Sequence, residues 1–138
     1  MRTLLNRYKT HKYPGNNWEA VSKGSKDVLW TYFIERFPYS DINIEARAKF
    51  IMSYSVWCIV GNIIGLGDRH SDNILIHTNT GESSHVDFDC IFDKGKTLPV
   101  PEIVPFRLTR NILDVFGVLK EKGLFTKTCE IVLKALWK

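Results

Sequence analysis

Basic residues are nearly missing from the middle of this chain. Between residues 51 and 93 there is a single one, Arg69, against six acids: Asp68, Asp72, Glu82, Asp87, Asp89 and Asp93. Residues 1–50 and 94–138 carry nine Lys or Arg each, and the net charge is +4. An acidic centre between basic flanks suits a divalent cation, which takes oxygen ligands. The lysines of the flanks are dispersed and lack interleaved aromatics, so direct nucleic-acid binding is not expected. Cysteine is scarce as well. Cys58, Cys90 and Cys129 are odd in number and widely spaced, which excludes a disulfide framework and a Cys-x-x-Cys zinc site and points to a reducing, intracellular setting. Long hydrophobic runs are also lacking. The most apolar stretch, 50–66, is interrupted by Ser53, Tyr54, Ser55 and Asn62 and falls short of the ~20 residues that cross a bilayer. The first fifteen residues hold no apolar run of the roughly 7–15 residues of an export signal. Neither a membrane nor export is expected.

What is present is enough for one core. A chain of 138 residues that is 44% hydrophobic buries roughly two thirds of its unfolded surface, and its periodicities describe a mainly helical α+β fold. Residues 1–26, with Pro14, Gly15 and Gly24, read as a short helical start and a polar loop. From Asp27, a good N-cap, the run VLWTYFIERF is a helix with Val28, Trp30, Tyr32, Phe33 and Phe37 inward, ended by Pro38. A longer helix runs from Asn43 or Glu45 to about Ile64 and is apolar nearly all round, so burial on most sides is expected. NILIH (73–77) and HVDF (85–88) are short β-rich runs separated by Thr78-Asn79-Thr80-Gly81, a hairpin pattern. Residues 89–105 contain three of the five prolines and read as a long surface segment. Thr109 caps a short helix closed by Gly117. A last helix, about 125–137, turns Cys129, Val132, Leu133, Leu136 and Trp137 to the core.

The chemistry lies in GLGDRHSDNIL (65–75) and in Asp87-Phe88-Asp89 twelve residues later. Asp68 to Asn73 is an Asp-x4-Asn interval, in which a phosphotransferase uses the Asp for the substrate hydroxyl and the Asn for a metal ion. His70, two residues after Asp68, can contact the transferring phosphate or share the proton. Asn73 and Asp87 offer the oxygens that Mg2+ prefers, with water and the phosphates of ATP completing its shell. A hairpin would bring Asp87 back beside Asn73. Taken singly, Asp68 and Arg69 read equally well as a surface ion pair, His70 as a loop residue and Asn73 as a turn residue. Asp72 and Asp89 read as solvated or structural. Gly61, Gly65 and Gly67 follow a helix rather than a strand, so they are not a dinucleotide fingerprint.

At these residues the chain resembles the phosphatidylinositol-3-kinase-related protein kinases, whose catalytic loop reads DRHxxN instead of HRDxxxxN. GLGDRHSDNIL, HVDFDCIFDKGK and VPEIVPFRLTRNILD are similar to the ATR branch of checkpoint kinases, and the likeness runs from about Trp30 to Trp137. It implies a protein-kinase-like C-lobe with a short hairpin carrying the loops. The chain, 1–138, would be a partial PI3/PI4-kinase-type catalytic domain without N-lobe or FATC tail. It further implies transfer from ATP, with Mg2+ or Mn2+, to Ser or Thr followed by Gln in nuclear protein substrates of the DNA-damage response. Asp68 and His70 would then be catalytic, Asn73 and Asp87 metal and nucleotide ligands, and 87–105 the activation segment. The partners implied are the rest of the kinase, its N-lobe and helical solenoid, and a regulatory subunit. Lipid-kinase relatives carry a basic cluster in that segment, whereas here only Lys94 and Lys96 are basic. A docking fragment that has lost catalysis is the other reading.

Overall fold

The computed structural model describes residues 2–3 and 28–137. Arg2–Thr3 is a short strand, β1; the rest of the expected helical start, the polar loop and the Asp27 cap lie outside the described residues. Helix α1 is Val28–Arg36 and α2 is Ser40–Ile63. Strands β2, Ile74–Ile76, and β3, Ser83–His85, follow, then α3, Arg110–Phe116, and α4, Leu124–Leu136. The sheet order is β1-β2-β3, antiparallel throughout.

Aromatic residues build the core. Phe33 from α1 meets Phe50 from α2 edge-on at 5.4 Å, Phe50 stacks on Tyr54 at 5.5 Å, and Phe116 of α3 stacks on Phe125 of α4 at 5.3 Å. Phe33, Phe50, Tyr54 and Val115 are almost fully buried. Pairs of this geometry contribute roughly 0.5–1.5 kcal/mol each beyond the area they bury. Polar ties then join the elements. The Tyr54 hydroxyl donates to the Arg107 carbonyl at 2.5 Å. Arg47 lies 4.3 Å over the Trp30 ring while its Nε donates to the Val115 carbonyl, so one side chain links α1, α2 and α3.

Helix α2 is the floor of the site. Its inner face is Ala46, Phe50, Ile51, Tyr54, Ser55, Cys58 and Ile59, but Met52, Val56 and Ile63 are exposed. The expectation of burial all round is therefore corrected: one apolar stripe of α2 stays partly exposed among the described residues. The same holds for α4. Phe125 is buried and Cys129 and Val132 are half-buried, whereas Leu133, Leu136 and Trp137 are exposed. Periodicity identified a face, and only its first turns find a partner here.

The hairpin forms with shifted bounds. The register pairs Ile74 with His85 and Ile76 with Ser83. The second strand starts earlier than expected because the Ser83 N–H donates to Ser53 Oγ on α2. It stops at His85 because Val86 makes one last bond, to the Asn73 carbonyl at 3.0 Å, and Asp87 then turns left-handed at φ 64°. Arg36 of α1 holds the hairpin turn through the Thr78 carbonyl and Asn79 Oδ1. Residues 89–105 contain one short 3-10 turn, Lys94–Thr97, and are otherwise irregular. Thr109 occupies the N-cap position of α3, yet its side chain makes no capping bond. Its carbonyl accepts from Ile112 and Leu113 instead.

Candidate active site

Gly65 ends α2 in left-handed backbone at φ 61°, and the chain turns directly into Gly67-Asp68-Arg69-His70. Asp68 is itself left-handed at φ 55°, a conformation Asp tolerates better than most residues. Both peptides around it are held. The Asp68 N–H donates to Glu102 Oε2 at 2.6 Å, and the Asp68 carbonyl accepts from Asn73 Nδ2 at 2.8 Å. The Asp68 carboxylate remains half-exposed, with His70 Nε2 at 3.8 Å from its Oδ2.

The orientation of His70 follows from its own cap. Its Nδ1 accepts the Asp72 N–H at 3.2 Å at the start of the 3-10 turn Ser71–Asn73. A neutral ring that accepts at Nδ1 carries its proton on Nε2, which is the nitrogen directed toward Asp68. Asn73 is buried, and its amide nitrogen is committed to Asp68, which leaves the amide oxygen as the group that can serve a cation.

Asp87 sits just beyond Val86, the residue hydrogen-bonded to Asn73. Folding of the ribbon thus brings Asp68, His70, Asn73 and Asp87 to one junction of turn and hairpin. Asp87 is exposed rather than a buried charge, and its Oδ1 receives only a long contact, 3.4 Å, from the Asp89 N–H. Asn73 and Asp87 together offer hard oxygen donors, which fits Mg2+ or Mn2+. No three His, Cys, Asp or Glu side chains converge on a metal site among the described residues. A cation here would need phosphate oxygens for much of its shell, as Mg2+ in nucleotide enzymes does. Asp72 and Asp89 are exposed and at the margin.

Two participants escape a reading by spacing. Arg69 is not a surface ion pair. It is 8% exposed, and it donates from Nε to the Gly67 carbonyl at 2.7 Å, from Nη1 to Val86 at 2.9 Å and from Nη2 to Asp87 at 2.5 Å. Burial lowers its pKa, and the nearby Asp68, Asp87 and Glu102 oppose that shift. Glu102 is the second. It lies thirty-four residues beyond Asp68 and arrives because residues 90–102 fold back onto the turn. Gly67 N–H donates to the Cys90 carbonyl, Asp93 N–H to the Gly65 carbonyl, and Glu102 N–H to the Gly95 carbonyl. A Cβ on Gly67 would lie 2.9 Å from the Gly95 Cα and 2.8 Å from Glu102 Oε2. The only hint in the sequence was the pair of glycines, 67 and 95, with nothing to say that they face each other.

His85 closes the site from below. Its ring stacks on Trp57 at 5.1 Å and 9° and meets Tyr54 edge-on, with both ring nitrogens buried and unbonded. Burial, with Arg69 adding to it, brings its pKa from 6.5 to about 4, so the ring is neutral. Beside the turn, a cleft of about 190 Å³ runs between Gly61, Gly65 and Gly67 on one wall and Asp93, Lys96, Glu102 and Pro105 on the other. Small-molecule sites typically measure ~300 Å³ or more. This cleft does not enclose a nucleoside triphosphate.

A helical body that carries an Asp-x4-Asn turn and a short hairpin after it has a protein-kinase-like fold. The class follows from both the turn and the helices behind it. The chain belongs to the phosphatidylinositol 3- and 4-kinase family, whose model matches residues 2–138. Among its relatives, the serine/threonine-protein kinase MEC1 of Eremothecium gossypii is 54% identical over 109 residues, 79% of this chain and 5% of that protein. The serine/threonine-protein kinase ATR of Oryza sativa subsp. japonica is 47% identical over 109 residues, 79% of this chain and 4% of that protein. A solved structure, the FAT and kinase domain of CtTel1, superposes with a TM-score of 0.77 at 36% identity over 97% of this chain and 10% of its own. The chain thus spans about one twentieth of the curated relatives it matches. Membership of a kinase family brings with it an expectation of ATP and a divalent metal. No described helix is long and apolar enough to cross a membrane.

Proposed function

We propose that this chain supplies the catalytic turn and metal-binding hairpin of a serine/threonine protein kinase of the ATR-like checkpoint type. It would transfer the γ-phosphoryl group of ATP to Ser or Thr followed by Gln in nuclear proteins. The observation that carries the reading is the junction at which Asn73 bonds to Asp68 while its own carbonyl receives the residue preceding Asp87. In this reading 1–138 is the C-lobe part of the catalytic domain, and an N-lobe, a helical solenoid and a regulatory subunit are its partners.

Phosphoryl transfer requires neutralised phosphate oxygens and an in-line hydroxyl more than covalent help from the protein. Asp68 orients the hydroxyl and receives its proton. His70 directs Nε2–H toward the space between Asp68 and the transferring group, where a proton donor stabilises developing charge. Asn73 Oδ1 and the Asp87 carboxylate would hold Mg2+ or Mn2+, which when bound would offset the negative charge of the transferring phosphate. The single-lysine character of each arm of the activation segment, Lys94 and Lys96 about Gly95, supports a protein rather than an inositol headgroup as acceptor.

The test is Asp87→Asn in a full-length kinase carrying this segment. Asn accepts left-handed backbone, so the substitution removes one charge and leaves the turn. Turnover should fall by about a thousandfold or more with the fold intact by circular dichroism. Turnover within a few-fold of the parent would remove Asp87 from the metal site.

A further inference from the structure

Both carboxylates invoked above stand in left-handed backbone, Asp68 at φ 55° and Asp87 at φ 64°. Such conformations cost roughly 1–3 kcal/mol and persist only where surrounding bonds over-determine them. A single side chain supplies those bonds at both places. The Arg69 guanidinium takes the Gly67 carbonyl, which belongs to the peptide entering Asp68, and the Val86 and Asp87 carbonyls, which belong to the peptides on either side of Asp87. Glu102 takes the N–H of that same Gly67–Asp68 peptide, so its two ends are held by opposite charges. Arg69 makes no ion pair among the described residues. All of its ordered bonds go to backbone carbonyls.

We propose that Arg69 is a positioning residue for phosphotransfer, one that sets the distance and orientation of the hydroxyl-handling Asp68 relative to the metal-binding Asp87. It rests on the reading of Asp68 and Asp87 given under Proposed function. Its action is through the backbone alone. A planar fork of fixed donors can hold three carbonyls from three peptides at once, whereas a lysine presents one ammonium to one of them. Loss of the fork frees the Asp87 turn, whose carboxylate would then be less well placed to hold a cation together with Asn73. Side chains that hold a metal-binding residue in place act on metal affinity and on rate more than on recognition of the acceptor.

The experiment compares Arg69→Lys and Arg69→Met with Asp87→Asn in a full-length kinase carrying this segment, assayed across a Mg2+ series at saturating ATP and peptide. For Arg69→Lys the Mg2+ concentration giving half-maximal rate should rise roughly 10- to 100-fold. At ordinary Mg2+ kcat should fall by about 100-fold or more, and KM for the peptide should stay within about threefold. High Mg2+ should restore part of the rate. Asp87→Asn should show no such recovery. A rate loss in Arg69→Lys that is independent of Mg2+ and accompanied by a lower melting temperature would make Arg69 merely structural and overturn the proposal. So would parental kinetics, or failure of both Arg69 variants to fold. If Asp87→Asn turns over like the parent, the underlying reading of the site has failed. If Asp87→Asn is dead and Arg69→Lys shows parental metal demand, only this proposal has.

Discussion

Arg69, His85 and the two left-handed aspartates show how single residues hold this site. His85 has a consequence that can be measured. Its ordinary pKa of 6.5 is brought to about 4 by burial, so the folded protein keeps it neutral while the unfolded chain protonates it near pH 6.5. Its contribution is therefore fully present above that pH. It is lost as pH falls toward 4, because the unfolded state then binds the extra proton, to a total of up to about 3 kcal/mol. Hydrogen exchange of the β2 and β3 amides, corrected for intrinsic rates, should show protection falling between pH 6.5 and 4.5. In His85→Phe, which can keep a ring against Trp57, the pH dependence should flatten. An equal slope in both proteins would refute the assignment.

At the scale of elements, the hairpin and the returning segment are joined to the helices by close approach at glycines. Gly81 adopts φ 81°, and a Cβ there would lie 2.6 Å from the Ala46 carbonyl oxygen of α2. Gly81→Ala should therefore destabilise the hairpin by about 2 kcal/mol or more, read as faster exchange of the β2 and β3 amides with α1 unaffected. Gly67 has an ordinary φ but faces the Gly95 backbone, which cannot move aside as a side-chain end can. Gly67→Ala should push residues 95–102 off the Asp68 turn and deprive the Asp68 N–H of Glu102. We expect a rate loss of about tenfold or more in the full-length kinase with little change in melting temperature. An unaltered rate would mean that the segment does not shape the turn.

For the molecule as a whole, the uncovered apolar surface and the shallow cleft belong together. Val118 is 99% exposed and Trp137 92% exposed, and the outer stripe of α2 adds Met52, Val56 and Ile63. The cleft beside the turn, about 190 Å³, provides no cover over nucleotide phosphates. We therefore expect the isolated 138-residue chain to transfer negligible phosphate from ATP, because loss of even one preorganised donor costs ~3–4 kcal/mol in other enzymes. Radiolabel transfer to a Ser-Gln peptide is the measurement. Turnover by the chain alone would show that its own residues suffice to position the nucleotide.

The amino-acid sequence alone determined the family of this protein and most of its helices, because motif strings and helical period are written in neighbouring residues. The candidate site, Asp-x4-Asn with His70 and Asp87, is readable as spacing, and VLWTYFIERF or the Thr78–Gly81 turn as periodicity and turn preference. Covered surface and long-range bonds were decided by tertiary structure. Leu133, Leu136 and Trp137 repeat with helical period whether or not a neighbour arrives, so their exposure could not be read from period. Nor could Arg69, whose three carbonyl partners lie at residues 67, 86 and 87, or Glu102, brought to Asp68 by a fold-back with no periodic signature. A guanidinium in sequence beside an aspartate looks like an ion pair. Only the packed backbone, with carbonyls that burial leaves in need of donors, makes it a clamp.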